Sequence, residues 1–216
     1  WTEQGLIPDI MVRAGIRRLL RQRLQDIRHD DCEAMGNAQH AFIQAMAAAP
    51  VAVLTQKANE QHYEVPAAFF QHALGPHLKY SSAYWPQGVT DLGVAEAAGL
   101  KQTCDNAELR DGQRILELGC GWGSLSLWMA QHYPASRITG VSNSHSQREF
   151  ILAQAQRRGL TNLDIVTHDM NTFDTDERFD RVLSVEMFEH MRNWQTLYRR
   201  VAAWLKPGGR FFKHIF

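Results

Sequence analysis

Arg114-Ile-Leu-Glu-Leu-Gly-Cys-Gly-Trp-Gly123, followed by Ser124-Leu-Ser-Leu-Trp-Met-Ala-Gln-His132, is the stretch that decides the fold. Arg114–Leu118 reads as a strand and Ser124–His132 as a helix, with a glycine turn between them. The glycines let the backbone turn sharply and come close to a ligand. The helix that follows presents free N–H groups to the same place. Downstream, short apolar runs alternate with helical stretches. Strands are expected at Arg137–Val141, Leu163–Thr167, Arg181–Val185 and Arg210–Ile215. Helices are expected at Ser144–Arg158 and Trp194–Leu205. Five strands separated by helices imply an α/β fold with a parallel, Rossmann-like sheet and right-handed crossovers. The chain stops on Phe211, Phe212, Ile215 and Phe216, at or just past the fifth strand. A buried parallel strand needs neighbours on both sides, so a missing C-terminal part is expected after Phe216.

Upstream of the turn, a helix is expected from Thr90, a plausible N-cap, to about Asn106. Gly75–Gly88 carries Tyr80, Ser81, Ser82, Tyr84 and Trp85 with two prolines and reads as a loop. Before residue 76 the pattern is helical, which divides the chain into a helical cap (1–75) and a ligand-binding domain (76–216). Ile16, Leu19, Leu20, Leu24 and Ile27 recur at 3.6-residue spacing, with Arg13, Arg17, Arg21 and Arg28 largely off the stripe. Such a helix packs on a domain and solvates its basic face; the alternative is that it lies on a membrane or a partner. Further helices are expected at about 31–48, at about 51–61 and after Pro66.

A length of 216 residues suits one medium domain with a cap. Lys plus Arg and Asp plus Glu both total 23, so no global field recruits nucleic acid or anionic lipid. Cys32, Cys104 and Cys120 are widely spaced and odd in number, which fits a reducing compartment and a cytoplasmic protein. There is no signal peptide pattern and no apolar run of membrane-spanning length. None of the ten histidines has a partner at metal-ligand spacing.

The third glycine of the turn is Gly123, whereas the dinucleotide fingerprint would place it at Ser124. Glu117, two residues before the first glycine, is instead the pattern of S-adenosylmethionine enzymes. The cationic methionine end of that cofactor favours acid and carbonyl groups nearby. Asp169 follows the third strand, where an acid can accept a hydrogen bond from an adenine amine; a turn Asp is the plainer alternative. At the end of the second strand, where many methyltransferases hold the ribose with an acid, this chain has Ser142, Asn143 and Ser144, with Gln147 one turn on. Neutral amides can do that job, but the pattern departs from the general one.

Taken together, Tyr80-Ser-Ser-Ala-Tyr-Trp85, Glu117–Gly123, Val141–Ser144 with Gln147, and Val185-Glu-Met-Phe-Glu-His-Met-Arg-Asn193 resemble one superfamily in order and spacing. It contains the cyclopropane fatty acid synthases and the coclaurine N-methyltransferases. Leu205-Lys-Pro-Gly-Gly209 resembles the turn before a late strand of class I methyltransferases. The resemblance spans nearly the whole chain, including Asn59–Pro66. Two positions favour the coclaurine type: Glu186 stands where the synthases resemble Gly, and Ser82 stands where they have a bicarbonate-binding Cys. The resemblance implies that Tyr80 and Ser81 line the cofactor pocket and that Gly119 and Gly121 form its turn. It also implies that Asn143 and Gln147 reach the ribose or methionine end, and that Asp169 and Met170 hold the adenine. Glu186, Glu189 and His190 would face the methyl acceptor.

Transfer of a methyl group to nitrogen needs a free lone pair, so a protonated amine must first lose its proton. Glu186, Glu189 and His190 are spaced i, i+3 and i+4, which on one helical turn would face them the same way. Two carboxylates and an imidazole attract an ammonium and can accept its proton. Tyr84, Trp85 and Phe188 could favour the cation by their ring faces. The plainer alternative for the three is a solvated helix start. Three readings of function remain open: N-methylation of a small amine, methyl or methylene transfer to an unsaturated lipid, and a cofactor-binding fragment without turnover. Oligomeric state is not written in the sequence.

Overall fold

The computed structural model describes residues 2–27, 30–53 and 66–216. By backbone contacts the chain divides into two units, residues 1–48 and 49–216. The second unit therefore begins upstream of residue 76, because Val51 and Ala52 are buried and belong with the sheet.

The first unit holds α1 (Asp9–Asp26) and α2 (Cys32–Ala48). Neither helix buries a residue: Ile16, Leu19, Leu20 and Leu24 are all exposed on α1, as is Ile27 at its C-cap. The Asp31 carboxylate accepts the Ala34 N–H at the start of α2.

The second unit holds α3 (Ala67–Ala73), α4 (Leu92–Asn106), β1 (Arg114–Leu118), α5 (Ser124–His132), β2 (Arg137–Ser142), α6 (His145–Arg157), β3 (Leu163–Thr167), β4 (Phe179–Val185), α7 (Trp194–Trp204) and β5 (Leu205–His214). The sheet is parallel throughout, in the order β3-β2-β1-β4-β5. The order reverses between β1 and β4, and ligands of open α/β sheets bind at the carboxyl ends of strands beside that point.

Alternation along β1 explains how both faces are covered. Ile115 packs with Leu100 of α4 and with Leu125 and Met129 of α5. Leu116 and Leu118 turn the other way, into a cluster with Leu197, Val201 and Trp204 of α7. Caps fix the helix starts locally. Ser144 accepts the Gln147 N–H at α6, and Asn193 accepts the Thr196 N–H at α7.

Three expectations are corrected. Asp91, not Thr90, caps α4, because its carboxylate reaches the Val94 N–H. Residues 51–53 are not the start of a helix: Ala52 makes an antiparallel bridge with Met191, and residues 54–65, with most of Asn59–Pro66, lie outside the described residues. The Leu205–Gly209 turn lies inside β5 as a bulge, since Leu205 pairs with Phe179 and Arg210 already pairs with Arg181.

Candidate functional site

β1 delivers Leu118 into a turn whose three glycines all have left-handed backbones, with φ of 80° at Gly119, 51° at Gly121 and 81° at Gly123. They are not equivalent. A Cβ on Gly119 would meet Met187, and one on Gly123 would meet Ile151 at 2.6 Å, so these two pack against protein. A Cβ on Gly121 would stand in open space. That opening belongs to a cavity of about 440 Å³, within the usual range for small-molecule sites.

Every cofactor residue expected from the sequence lines this cavity: Tyr80, Ser81, Glu117, Gly119, Gly121, Asn143, Gln147, Asp169 and Met170. Glu186, Glu189 and His190 line it as well. They do so by a different route from the expected helical turn. Glu186 directly follows β4 with φ 51°, a left-handed conformation that costs a residue with a Cβ roughly 1–2 kcal/mol. Its N–H donates to the His214 carbonyl of β5, which continues the ladder through the strained residue. Only Phe188–His190 then forms a single 3-10 turn. The Glu189 carboxylate accepts the Phe216 N–H.

Glu117 lies on the cavity floor at 3% exposure. Burial pushes its carboxyl up to about 7, and the hydroxyl donated by Ser126 partly offsets that. Gln147 is equally buried. Its Oε1 accepts the Ser142 hydroxyl at 2.7 Å, while its buried Nε2 has no hydrogen-bond partner among the described residues. A buried amide donor left open in this way suits a ligand acceptor. Asp169 makes a local turn as well as lining the cavity: its Oδ1 accepts the Asn171 N–H at 2.7 Å.

The proposed aromatic contribution is not where the sequence suggested. Phe188 is fully buried in the core, and its ring packs on Trp194, Tyr198 and Phe211. Tyr84 and Trp85 are half exposed and outside the cavity lining.

Several lining residues were not anticipated. Ala52 and Val53 form part of the wall. Asn171 holds them there, accepting the Ala52 N–H at 2.9 Å and donating to the Ala52 carbonyl at 3.1 Å. From the other side, the Arg192 N–H donates to the Val51 carbonyl at 2.7 Å. Lys79 is buried and also lines the cavity. The only sequence signal for it was its place beside Tyr80 and Ser81.

Comparison with known proteins gives this geometry a family. Residues 53–216 match the model of the mycolic acid cyclopropane synthetase family. The chain is 38% identical to the (S)-coclaurine N-methyltransferase of Thalictrum flavum subsp. glaucum, over 99% of this chain and 59% of that protein. It is 38% identical to the cyclopropane-fatty-acyl-phospholipid synthase of Escherichia coli (strain K12), over 72% of this chain and 39% of that protein. It matches the crystal structure of a coclaurine N-methyltransferase bound to N-methylheliamine and SAH with a TM-score of 0.86 and 36% identity, over 97% of this chain and 61% of that one. The chain spans about three fifths of the length of the coclaurine N-methyltransferases it matches. Its parallel sheet with helices on both faces is the class I methyltransferase fold.

Proposed function

The chain belongs to the mycolic acid cyclopropane synthetase family, and from that premise we propose that it is an S-adenosylmethionine-dependent methyltransferase acting on the nitrogen of a small amine. One observation carries this reading. Two carboxylates and an imidazole, Glu186, Glu189 and His190, converge on the same cavity as the glycine turn and the open Gln147 amide.

The residues present fit the cofactor. Gly121 leaves room for close approach, Gln147 offers an unpaired donor, and Glu117 offers a buried carboxylate. S-adenosylmethionine, when bound, supplies an electrophilic methyl group. Glu117 would balance its cationic methionine end, Asn143 and Gln147 would hold the ribose or methionine portion, and Asp169 and Met170 would hold the adenine. Tyr80 and Ser81 would close the wall beside them.

On the acceptor side, Glu186 and Glu189 attract an ammonium group. Glu189 or His190 takes its proton, directly or through water, and leaves a neutral amine with its lone pair free. The rest of the catalysis is orientation. The solved relative is bound to N-methylheliamine, a methylated amine, and SAH, which supports the amine reading. Lipid methyl or methylene transfer is the second reading, favoured by the family description and by the match to the bacterial synthase. Ser82, in place of the synthases' Cys, weighs against it.

We further propose that cofactor binding belongs to residues 76–216 and that residues 1–75 contribute helices to a cap, with residues 51–53 supplying cavity wall. The cytoplasm is the proposed compartment, supported by three cysteines that are all unpaired. No helix among the described residues is long and apolar enough to cross a membrane.

The test is Glu189→Gln in the protein carrying this chain. Turnover of a saturating amine should fall about a hundredfold or more, while S-adenosylmethionine affinity stays near the parent's. Turnover equal to the parent's would remove Glu189 as the base. Labelled methyl recovered in phospholipid rather than amine would favour the second reading.

A further inference from the structure

Lys79 is 8% exposed, an unusual burial for an ammonium. Its ammonium donates to the Ser81 hydroxyl at 2.6 Å and to the Ser82 carbonyl at 2.8 Å. Its own backbone is held from behind. Glu96 of α4, at 1% exposure, accepts the N–H groups of Gly75, His77 and Lys79 at 3.0, 2.8 and 3.1 Å. The Tyr84 N–H donates to the Ala95 carbonyl of the same helix. Gly99, also on α4, leaves the space through which the Lys79 stem passes: a Cβ there would meet Lys79 Cε at 3.1 Å and the Tyr84 nitrogen at 3.2 Å. So one helix face carries the whole of the 75–84 loop, and Lys79 passes that order on to the cavity wall.

Building on the cofactor site proposed above, we infer that Lys79 is a positioning residue of that site. Seated across Gly99 and pinned by Glu96, it holds Tyr80 and Ser81 in the cavity wall before the cofactor arrives. A wall fixed in advance spares the ligand the entropy of ordering it. The buried ammonium has compensation. Burial pushes its proton affinity down, while the nearby carboxylates of Glu186 and Glu96 push it back up. Lys79 therefore also adds a positive charge whose field reaches Glu186, one of the acceptor-side acids.

Three substitutions test this, with S-adenosylhomocysteine as the probe, calorimetric titration as the readout and thermal melting without ligand alongside. Lys79→Met keeps the stem and removes the donors; its affinity should fall about tenfold, and Lys79→Arg should recover most of the loss. Gly99→Ala leaves Lys79 in place but crowds its stem. Ala is the better helix residue, so helix propensity favours the variant, yet affinity should fall here too. Loss of affinity with the melting temperature kept separates positioning from a merely structural role. If Lys79→Met does not fold, Gly99→Ala decides alone. A parent that binds and a folded variant that matches it within about twofold would overturn the inference alone. A parent that binds no S-adenosylhomocysteine would overturn the cofactor reading and this inference with it.

Discussion

At the scale of single residues, Glu117 and Glu186 both occupy positions that cost stability. Glu117 is a buried acid held up to about 7 against an ordinary value of 4.5, with desolvation as the main cause. The native state therefore keeps its proton across a range where the unfolded chain has lost it. Stability of the cofactor-free protein should fall as pH rises from about 4.5 to about 7 and level off above that. Glu117→Gln keeps an acceptor for Ser126 and has no charge to desolvate. Urea unfolding at pH 8 should show the variant more stable than the parent, by on the order of 3 kcal/mol, and the two nearly equal at pH 5. An unchanged difference at both pH values would reject the buried-carboxylate account. Glu186 stores its cost in the backbone, at φ 51°. Glycine adopts that conformation freely, so Glu186→Gly should raise stability by about 1 kcal/mol while lowering amine turnover. If stability and turnover fell together, strain would not be the right description of the residue.

Among elements, the cavity is assembled from loops that neighbouring elements hold in place. Residues 51–53 sit between two such loops, bridged to Met191 and clasped by Asn171. Arg200 of α7 fixes the same region by donating to the Met170 and Asn171 carbonyls at 2.8 and 2.9 Å. Asn171→Ala removes both bonds to Ala52 and leaves a backbone donor and acceptor without that partner. We expect a loss of roughly 1–3 kcal/mol by urea unfolding, with weaker S-adenosylhomocysteine binding because Ala52 and Val53 are wall residues. Asn171→Asp keeps the acceptor and loses the donor, so it should fall between the two. The acid pair shows how far local spacing can be read. Glu186, Glu189 and His190 were expected together on one helical turn, and they do meet in one cavity. What brings them there is a left-handed residue just past β4, followed by a 3-10 turn. That conformation is set by pairing with β5 through the His214 carbonyl, and spacing within the motif carries no information about β5.

For the whole molecule, the two units have different means of support. Residues 49–216 own the sheet and all three buried apolar clusters. Among the described residues, α1 and α2 bury none. A chain beginning at Ala49 should therefore still fold cooperatively, with a melting temperature close to that of the 216-residue chain. A truncated chain without a cooperative transition would show that the first unit is needed for the core. By itself the sequence determined the strand–turn–helix at Arg114–His132, most strand and helix limits after it, and a set of residues that line one cavity there. Those features are local: alternation, 3.6-residue spacing, caps and glycines act within a few residues of one another. Only the tertiary structure decided that Asn171 clasps Ala52, that Glu96 holds the Lys79 backbone, and that Phe188 belongs to the core and not to the cavity lining. Each of these is settled by a partner outside the local segment, which spacing within that segment cannot show.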